Sequence, residues 1–333
     1  VDRSKMTIHV ACGDKTWAFE HDPGVSLLDQ MLSQNIPISH SCRRGDCGQC
    51  AVELVTGEVA PIETTRPLWA ANSLLSCNAT LRSSAQIRIP YDAELEGIVV
   101  RRSPAKIHML DRLSGEIMAV TLRLPPTTEF RFLPGQFVHL TNRGGTTRSY
   151  SLAAGPAPDR LLRVHIRKVA GGAFSQWLFE RASIDDLVHV EGPQGRFFLR
   201  QKLAVARSIF LATGTGIAPI CAMLAAATPE QRQRLGEVSV YWGNRAEHEA
   251  YLAESLRQMA SQMAFRLTLV FSREGSATAH RYVQHQMLAD HPNLADAQLF
   301  ACGNPAMIAS ARELALEAGL PPERFHSDAF TAS

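Results

Sequence analysis

Net charge is almost absent from this chain. Its 333 residues carry 34 Lys and Arg against 32 Asp and Glu, a formal +2 at pH 7, and no long block of either sign interrupts it. Bulk electrostatic attraction therefore gives no reason to expect a nucleic-acid or anionic-membrane partner. Low-complexity tracts and internal repeats are also missing, so disorder is expected only near the termini. No secretory leader is expected: Val1 to Lys5 lacks a hydrophobic core, and Met6 reads as a natural start behind a short remnant. One uncharged stretch, Ser208 to Thr228, reaches membrane length, but Gly214, Gly216 and Pro219 sit in its middle. A strand, a glycine turn and a helix account for it better than a lipid-spanning helix. The expectation is a cytoplasmic, monomeric protein with no membrane and no nucleic-acid partner.

What is there begins with length. The chain is too long for one ordinary domain, and its hydrophobic share of 45% is that of a globular protein. Three zones of differing pattern follow one another, read as domains at 1–94, 100–202 and 203–333. The first holds a cysteine cluster and ends in a linker, Glu94 to Arg101. The second is rich in short β runs: Met118 to Leu124, Phe137 to Leu140, Leu162 to Lys168 and Leu187 to Val190. Turns such as Leu133-Pro134-Gly135 separate them, the signature of an all-β barrel or sandwich. The third alternates strand and helix. Strands are expected at Ser208–Ala212, Val238–Trp242, Phe265–Phe271 and Gln298–Cys302, and helices at Ile217–Ala227, Glu247–Met259 and Pro305–Ala318. Apolar strands alternating with helices imply a parallel α/β sheet.

Seven cysteines are an odd number, and four of them, Cys42, Cys47, Cys50 and Cys77, form C-x4-C-x2-C…C. This is the plant-type ferredoxin spacing, and argues for metal ligation in a reducing compartment. Thiolates are soft and anionic, and four of them suit two ferric ions bridged by sulfide. A structural zinc site is the competing reading, but zinc knuckles pair their cysteines two and two along the chain. Here three share one loop, Ser41 to Cys50, whose glycines let the backbone bend inward. A helix, Ser26 to Gln34, is expected before the loop and a strand, Ala51 to Leu54, after it. Cys12 and Cys221 read as small buried apolar residues.

Two further constellations carry chemistry. Arg148-Ser149-Tyr150-Ser151 follows Pro134-Gly135-Gln136-Phe137 and precedes Gly171-Gly172-Ala173-Phe174-Ser175. These supply what a flavin dinucleotide needs. Arg148 is a cation for the pyrophosphate, Tyr150 a ring to stack on the isoalloxazine, and Ser151 a hydroxyl for the ring edge near N5. Gly171, Gly172 and Ser175 offer amides, a helix start and a hydroxyl to phosphates. In the third zone, Thr213-Gly214-Thr215-Gly216 lies between a strand and a helix, where small residues admit a dinucleotide pyrophosphate. Pro219 departs from the full G-x-G-x-x-G fingerprint. Tyr241 to Arg245 and Cys302-Gly303-Asn304 end later strands, at the edge where ligands bind in such sheets.

Together these blocks resemble the ferredoxin–NADP reductase superfamily. Their order resembles the single-chain reductases of bacterial oxygenases, of the benzoate dioxygenase reductase type. The reductases of 3,6-dideoxyhexose biosynthesis, the CDP-6-deoxy-glucoseen reductase type, are closer still. Arg148 to Ser151, Ile166-Arg167-Lys168-Val169, Glu191 to Gly195, Ala301-Cys302-Gly303 and Ser327-Asp328-Ala329-Phe330 carry that likeness. The resemblance implies a β-grasp ferredoxin domain, a six-stranded antiparallel flavin barrel and a nucleotide-binding α/β domain. It implies FAD rather than FMN, counts Ile166 and Gly303 among the cofactor-contacting positions, places Cys302 near the nicotinamide C4 and sets Phe330 to shield the flavin.

Phe271-Ser272-Arg273-Glu274 and Tyr282-Val283-Gln284 resemble the segment that grips a 2′-phosphate in NADPH-specific relatives. A cation and a hydroxyl at Arg273 and Ser272 suit a dianion, with Tyr282 over adenine and Gln284 facing the phosphate. Glu247 and Glu249 are the rival, since an acidic residue there would hold a ribose diol. NADPH is thus expected in preference to NADH.

The expected activity is that of a reductase. Hydride passes from the nicotinamide to FAD, and single electrons pass on to the 2Fe-2S cluster and a separate protein, an oxygenase or an iron–sulfur dehydratase of deoxysugar synthesis. The alternative is a redox-sensing regulatory protein without steady turnover.

Overall fold

The computed structural model describes residues 6–70, 73–201, 203–274 and 280–330. The chain forms two packing units, Val1–Gly97 and Ile98–Ser333.

In the first unit, β1 (Thr7–Cys12) and β2 (Lys15–Glu20) form a hairpin, followed by α1 (Leu27–Ser33), β3 (Ala51–Thr56), β4 (Val59–Pro61), β5 (Trp69–Ala70), β6 (Ser73–Leu75), β7 (Ala79–Leu81) and β8 (Ala85–Arg88). The main sheet runs β2-β1-β8-β3-β6-β5, with β1 and β8 parallel. The expected helix is present and starts where capping chemistry sets it: Ser26 accepts from the Asp29 amide, satisfying one of the orphan donors of the first turn. Leu27, Leu28 and Met31 of α1 bury against Ile8, Val10, Val52 and Ile87, which seats the cysteine loop on a fixed core.

The second unit opens with an antiparallel sheet. Its strands are β9 (Arg101–Arg112), β10 (Ile117–Arg123), β11 (Phe137–Thr141), β12 (Thr147–Ser151), β13 (Leu161–Arg167) and β14 (Leu187–Gln194), with α2 (Ala173–Glu180) between the last two. The order is β12-β11-β14-β9-β10-β13. The edge strands do not stay open: Leu152 bridges to Val164, and the Ala153 amide donates to the Arg163 carbonyl at 2.7 Å, bringing β12 to β13 and closing the sheet toward a barrel. Along β13 the even residues Leu162, Val164 and Ile166 fill the barrel, and the odd residues Arg163, His165 and Arg167 face outward.

The rest of the unit holds a wholly parallel sheet, β17-β16-β15-β18-β19, built from β15 (Arg207–Thr213), β16 (Glu237–Asn244), β17 (Arg266–Phe271), β18 (Ala297–Gly303) and β19 (Phe325–Ala329). Helices α3 (Ile217–Ala226), α4 (Pro229–Leu235), α5 (Ala253–Met263), α6 (Val283–Asp290) and α7 (Pro305–Glu317) cover its faces. Strand order reverses direction at β15, whose neighbours are β16 on one side and β18 on the other. Such a switch point opens a crevice at the carboxyl ends of the strands. β15 and β18 are buried nearly throughout, so the stretch Ser208 to Thr228 is apolar because it is the middle of this sheet and the helix packed on it. No described helix is long and apolar enough to cross a membrane.

One expected helix is broken. Glu247 to Met259 is not continuous: a short 3-10 turn covers Glu247–Glu249, and α5 begins only at Ala253. The interruption turns Tyr251 inward, where it is half-buried.

Candidate functional site

The four cysteines lie where three shared-loop ligands and one distant ligand converge. Arg43 and Gly45 both take positive φ, +54° and +87°, which turns the loop back on itself. A side chain at Gly45 would meet Pro67 at 2.9 Å, so the loop is also pressed against the Arg66–Leu68 segment. Backbone amides face the sulfurs: Arg44 N–H donates to Cys42 Sγ at 3.4 Å, and the amides of Asp46, Cys47, Gln49 and Gly45 serve Cys42, Cys47 and Cys77. Donors of this kind favour thiolate. The thiols pair two and two. Cys47 donates to Cys42, pulling it down to about 5, and Cys77 donates to Cys50, lowering it as well. Two thiol pairs, Cys42 with Cys47 and Cys50 with Cys77, are what a two-iron cluster would use, one pair to each iron.

In the second unit, Ser151 at the end of β12 meets the parallel sheet. Its Oγ donates to Asp328 Oδ2 of β19 at 2.9 Å, in a buried contact spanning 177 residues. Burial raises the Asp328 carboxyl to about 6, with the Ser151 bond acting against that rise. Cys302, at the end of β18, is fully buried, and burial first and Asp328 second push its thiol well above the ordinary value. It is therefore a neutral thiol and not a thiolate nucleophile. The sequence marks Asp328 only within Ser327-Asp328-Ala329-Phe330, and β19 reads Phe325-His326-Ser327-Asp328-Ala329, so other polar residues stand beside it and nothing local singles it out.

An acid with a raised carboxyl binds its proton more tightly folded than unfolded. Native stability therefore falls as pH rises from about 4 to about 6, and the cost persists above that window. The shift corresponds to about 3 kcal/mol. Asp328→Asn should remove this slope and be the more stable form above pH 6, as read by urea unfolding between pH 4 and 7. An unchanged slope in the variant would show that Asp328 does not titrate in this window.

The other expected flavin positions divide. Tyr150 is half-buried beside Phe174 at 5.3 Å between ring centroids, and Arg148 and Ser149 lie partly exposed on the same strand. Ser149 Oγ bonds His139 Nδ1 at 3.0 Å. Gly171 and Gly172 form the turn before α2, with Gly172 as its cap. Ser175 is different. Its hydroxyl is buried, accepts from the Val169 amide at 3.0 Å and bonds the Gly172 carbonyl, so it closes the turn and does not face a phosphate. Ile166 points into the barrel core, which leaves only its backbone for a ligand.

At the switch point, Thr213, Gly214, Thr215 and Gly216 form a tight turn leading into α3. Thr213 Oγ1 accepts from the Asn304 amide at 2.8 Å, tying this turn to the one after β18. Gly216 packs directly on the Cys302 carbonyl, and Gly303 on Thr213. Arg167, which in the sequence stands out only as part of Ile166-Arg167-Lys168-Val169, reaches this turn: a Cβ on Gly214 would lie 3.2 Å from its guanidinium. Glu249 holds Arg167 at 3.1 Å and Arg245 at 2.7 Å. Burial acts to raise the Glu249 carboxyl, but the two arginines outweigh it and hold it below the usual range.

The expected phosphate pocket is only partly assembled. Ser272 and Arg273 follow β17, their amides donating to Asn244 and Arg245 carbonyls, with Arg273 exposed. Tyr282 is exposed. Gln284 is buried on α6 and donates to Ser310 Oγ of α7 at 3.3 Å, so it packs two helices together and does not face that pocket. Phe330 is half-buried against the nucleotide-sheet core, its amide bonded to the Gly303 carbonyl at 2.7 Å.

Comparison with known proteins matches these three modules in order. Residues 10–82 match the 2Fe-2S iron-sulfur cluster binding domain, 104–199 the oxidoreductase FAD-binding domain and 210–313 the oxidoreductase NAD-binding domain. The chain is 34% identical to the CDP-6-deoxy-L-threo-D-glycero-4-hexulose-3-dehydrase reductase of Yersinia pestis, over 98% of this chain and 100% of that one. It is 30% identical to terephthalate 1,2-dioxygenase reductase component 2 of a Comamonas species, over 98% of each. A solved cytochrome P450 reductase of Amycolatopsis superposes with a TM-score of 0.76 at 27% identity, covering 98% of this chain and 99% of the other. The chain belongs to the family of single-chain reductases that join a 2Fe-2S ferredoxin domain to the FAD- and NAD(P)-binding domains of the ferredoxin–NADP reductase superfamily, and it is an oxidoreductase using FAD, NAD(P)H and a 2Fe-2S cluster.

Proposed function

We propose that this protein oxidises NADPH and delivers single electrons to a separate catalytic protein, an iron–sulfur dehydratase acting on a nucleotide-linked hexulose. The observation that carries the reading is one chain holding both the paired-thiol loop and the Ser151–Asp328–Cys302 contact beside the glycine turn. A bound flavin would supply the conversion between two-electron hydride chemistry and one-electron transfer, and a bound cluster would supply a one-electron carrier. The chain's own residues supply binding and position. Arg148 serves the flavin pyrophosphate, and the turn Thr213–Gly216, flanked by Arg167, receives the coenzyme pyrophosphate. Cys302, small and neutral, lets the nicotinamide approach. Ser151 presents its hydroxyl at the flavin edge, oriented by Asp328. The dehydratase is preferred over an oxygenase as acceptor because the 34% identical relative is named for that system, and an oxygenase reductase reaches 30%.

Steady NADPH-driven reduction of cytochrome c is expected, followed under anaerobic conditions by faster electron transfer to a purified iron–sulfur dehydratase than to a Rieske oxygenase. A single turnover and no more would point to a redox sensor, and the reverse order of acceptors to the oxygenase.

Preference for NADPH rests on Ser272 and Arg273, and on Glu249 being committed to two arginines rather than free for a ribose diol. Arg273→Ala should cost NADPH about 1.5–3 kcal/mol in kcat/KM and leave NADH almost unchanged, since a charged hydrogen bond is lost only with the phosphate. An equal loss for both coenzymes would make Arg273 a solvated loop charge.

A further inference from the structure

The break between the 3-10 turn at Glu247–Glu249 and α5 sends one aromatic side chain into the seam between barrel and parallel sheet. Tyr251 there touches both sides. Its ring stands edge-on to His165 of β13, 5.5 Å between centroids, and its hydroxyl hydrogen-bonds His165 Nδ1 at 3.0 Å. On the other side the same ring stands edge-on to Trp242 of β16 at 5.7 Å. Trp242, fully buried, donates from Nε1 to the Gly214 carbonyl at 2.9 Å. One continuous contact path thus runs from the outer face of β13, through Tyr251 and Trp242, to the carbonyl of the coenzyme turn.

We infer that Tyr251 is a positioning residue for hydride transfer: with His165 and Trp242 it fixes the Gly214 turn against the barrel wall, and so fixes the reach from nicotinamide to flavin. Other polar contacts across the seam near this turn are ion pairs. Arg167 and Arg245 meet the exposed Glu116, where solvent and salt screen the pairs, and Arg167 also meets the less exposed Glu249. The Tyr251–His165 bond is part-buried and uncharged. Burial lowers His165 to about 4 and raises the Tyr251 hydroxyl, so both stay neutral across the physiological range. A neutral bond is not screened by salt as an ion pair is, and losing one partner leaves the other short of a hydrogen bond. His165 and Arg167 project from the same outer face of β13, which places the rigid contact two residues from the cation flanking the turn.

The inference rests on the hydride-transfer reading, and flavin reduction in the unmodified holoenzyme tests that reading separately. In Tyr251→Phe the ring stays and one oxygen goes. Anaerobic stopped-flow at saturating coenzyme should show flavin reduction slowed about 10- to 100-fold, the scale expected for a displacement of the order of 1 Å. FAD content, the cluster spectrum and dithionite-driven cytochrome c reduction should not change. His165→Phe should slow the step by the same factor, and the double variant no further, because the two act as one unit. His165→Gln keeps an acceptor for the hydroxyl and should hold the rate within about threefold of the parent, the scale of a hydrogen bond kept in altered geometry. A normal limiting rate in Tyr251→Phe with only a lowered Tm, multiplicative losses in the double variant, or a Gln variant as slow as the Phe variant would each overturn the assignment.

Discussion

Cys47→Ser is expected to abolish the paramagnetic signal of the reduced cluster and, with it, cytochrome c reduction. Cys47 is one half of a sulfur pair with Cys42, and its loss leaves one iron with a single protein thiolate. The serine hydroxyl is harder than a thiolate and stays un-ionised near neutral pH, so it does not restore the site. The effect should stop at the first packing unit. Ser151, Asp328 and the glycine turn belong to the second unit, and NAD(P)H-to-ferricyanide activity, which drains the flavin directly, should persist. Loss of flavin reduction in a folded Cys47→Ser protein would contradict a modular electron path. Substitution at Cys12 is the control, because this cysteine lies on β1, outside the paired-thiol loop.

The 2Fe-2S domain was legible because the chemistry needs four identical residues, three of them on one short loop, and spacing alone records that. The switch-point turn was legible for a related reason: glycines and small residues crowd a place where backbone must approach backbone. Side chains that act at a distance were not. Asp328 reaches Ser151 across 177 residues, and nothing local marks either as the other's partner. Ser175 and Gln284 were assigned to ligands from their polarity, yet each is buried and used to close a turn or join two helices. A polar side chain in a loop reads the same in sequence whether it faces a phosphate or a carbonyl.

Strand β9 shows a second limit. Its inward positions are Ser103, Ala105 and Ile107, so its hydrophobic period is faint, and Pro104 argues against a strand, although the structure makes it 12 residues long. The opposite error occurred at Glu247–Met259, where helix-favouring composition hid a break. Tertiary contacts decide that break: Tyr251 gains two aromatic neighbours and a hydroxyl partner by leaving the helix.

Gly216→Ala should cost the hydride step about 100-fold or more while leaving both resident cofactors in place. The Cα of Gly216 lies against the carbonyl of Cys302, and a Cβ there would overlap that carbonyl carbon and oxygen as well as approach the Gly303 amide at 3.0 Å. These neighbours are backbone atoms at the end of β18, a strand buried along its whole length and paired on both sides, so they cannot yield cheaply. The turn itself has to move instead. A shift of the order of 1 Å in a group that sets the position of a reacting centre costs about 100-fold. Gly216 has a negative φ, so alanine is not strained by its own backbone conformation; the clash alone drives the effect. The substitution leaves Arg148 and Tyr150 of β12 and the thiol loop unchanged, and FAD content and the dithionite-reduced cluster signal should match the parent. Stopped-flow reduction of the flavin by NADPH reads the result. A rate within threefold of the parent would mean that the turn after β15 does not carry the coenzyme, and that its close packing on β18 serves the fold alone.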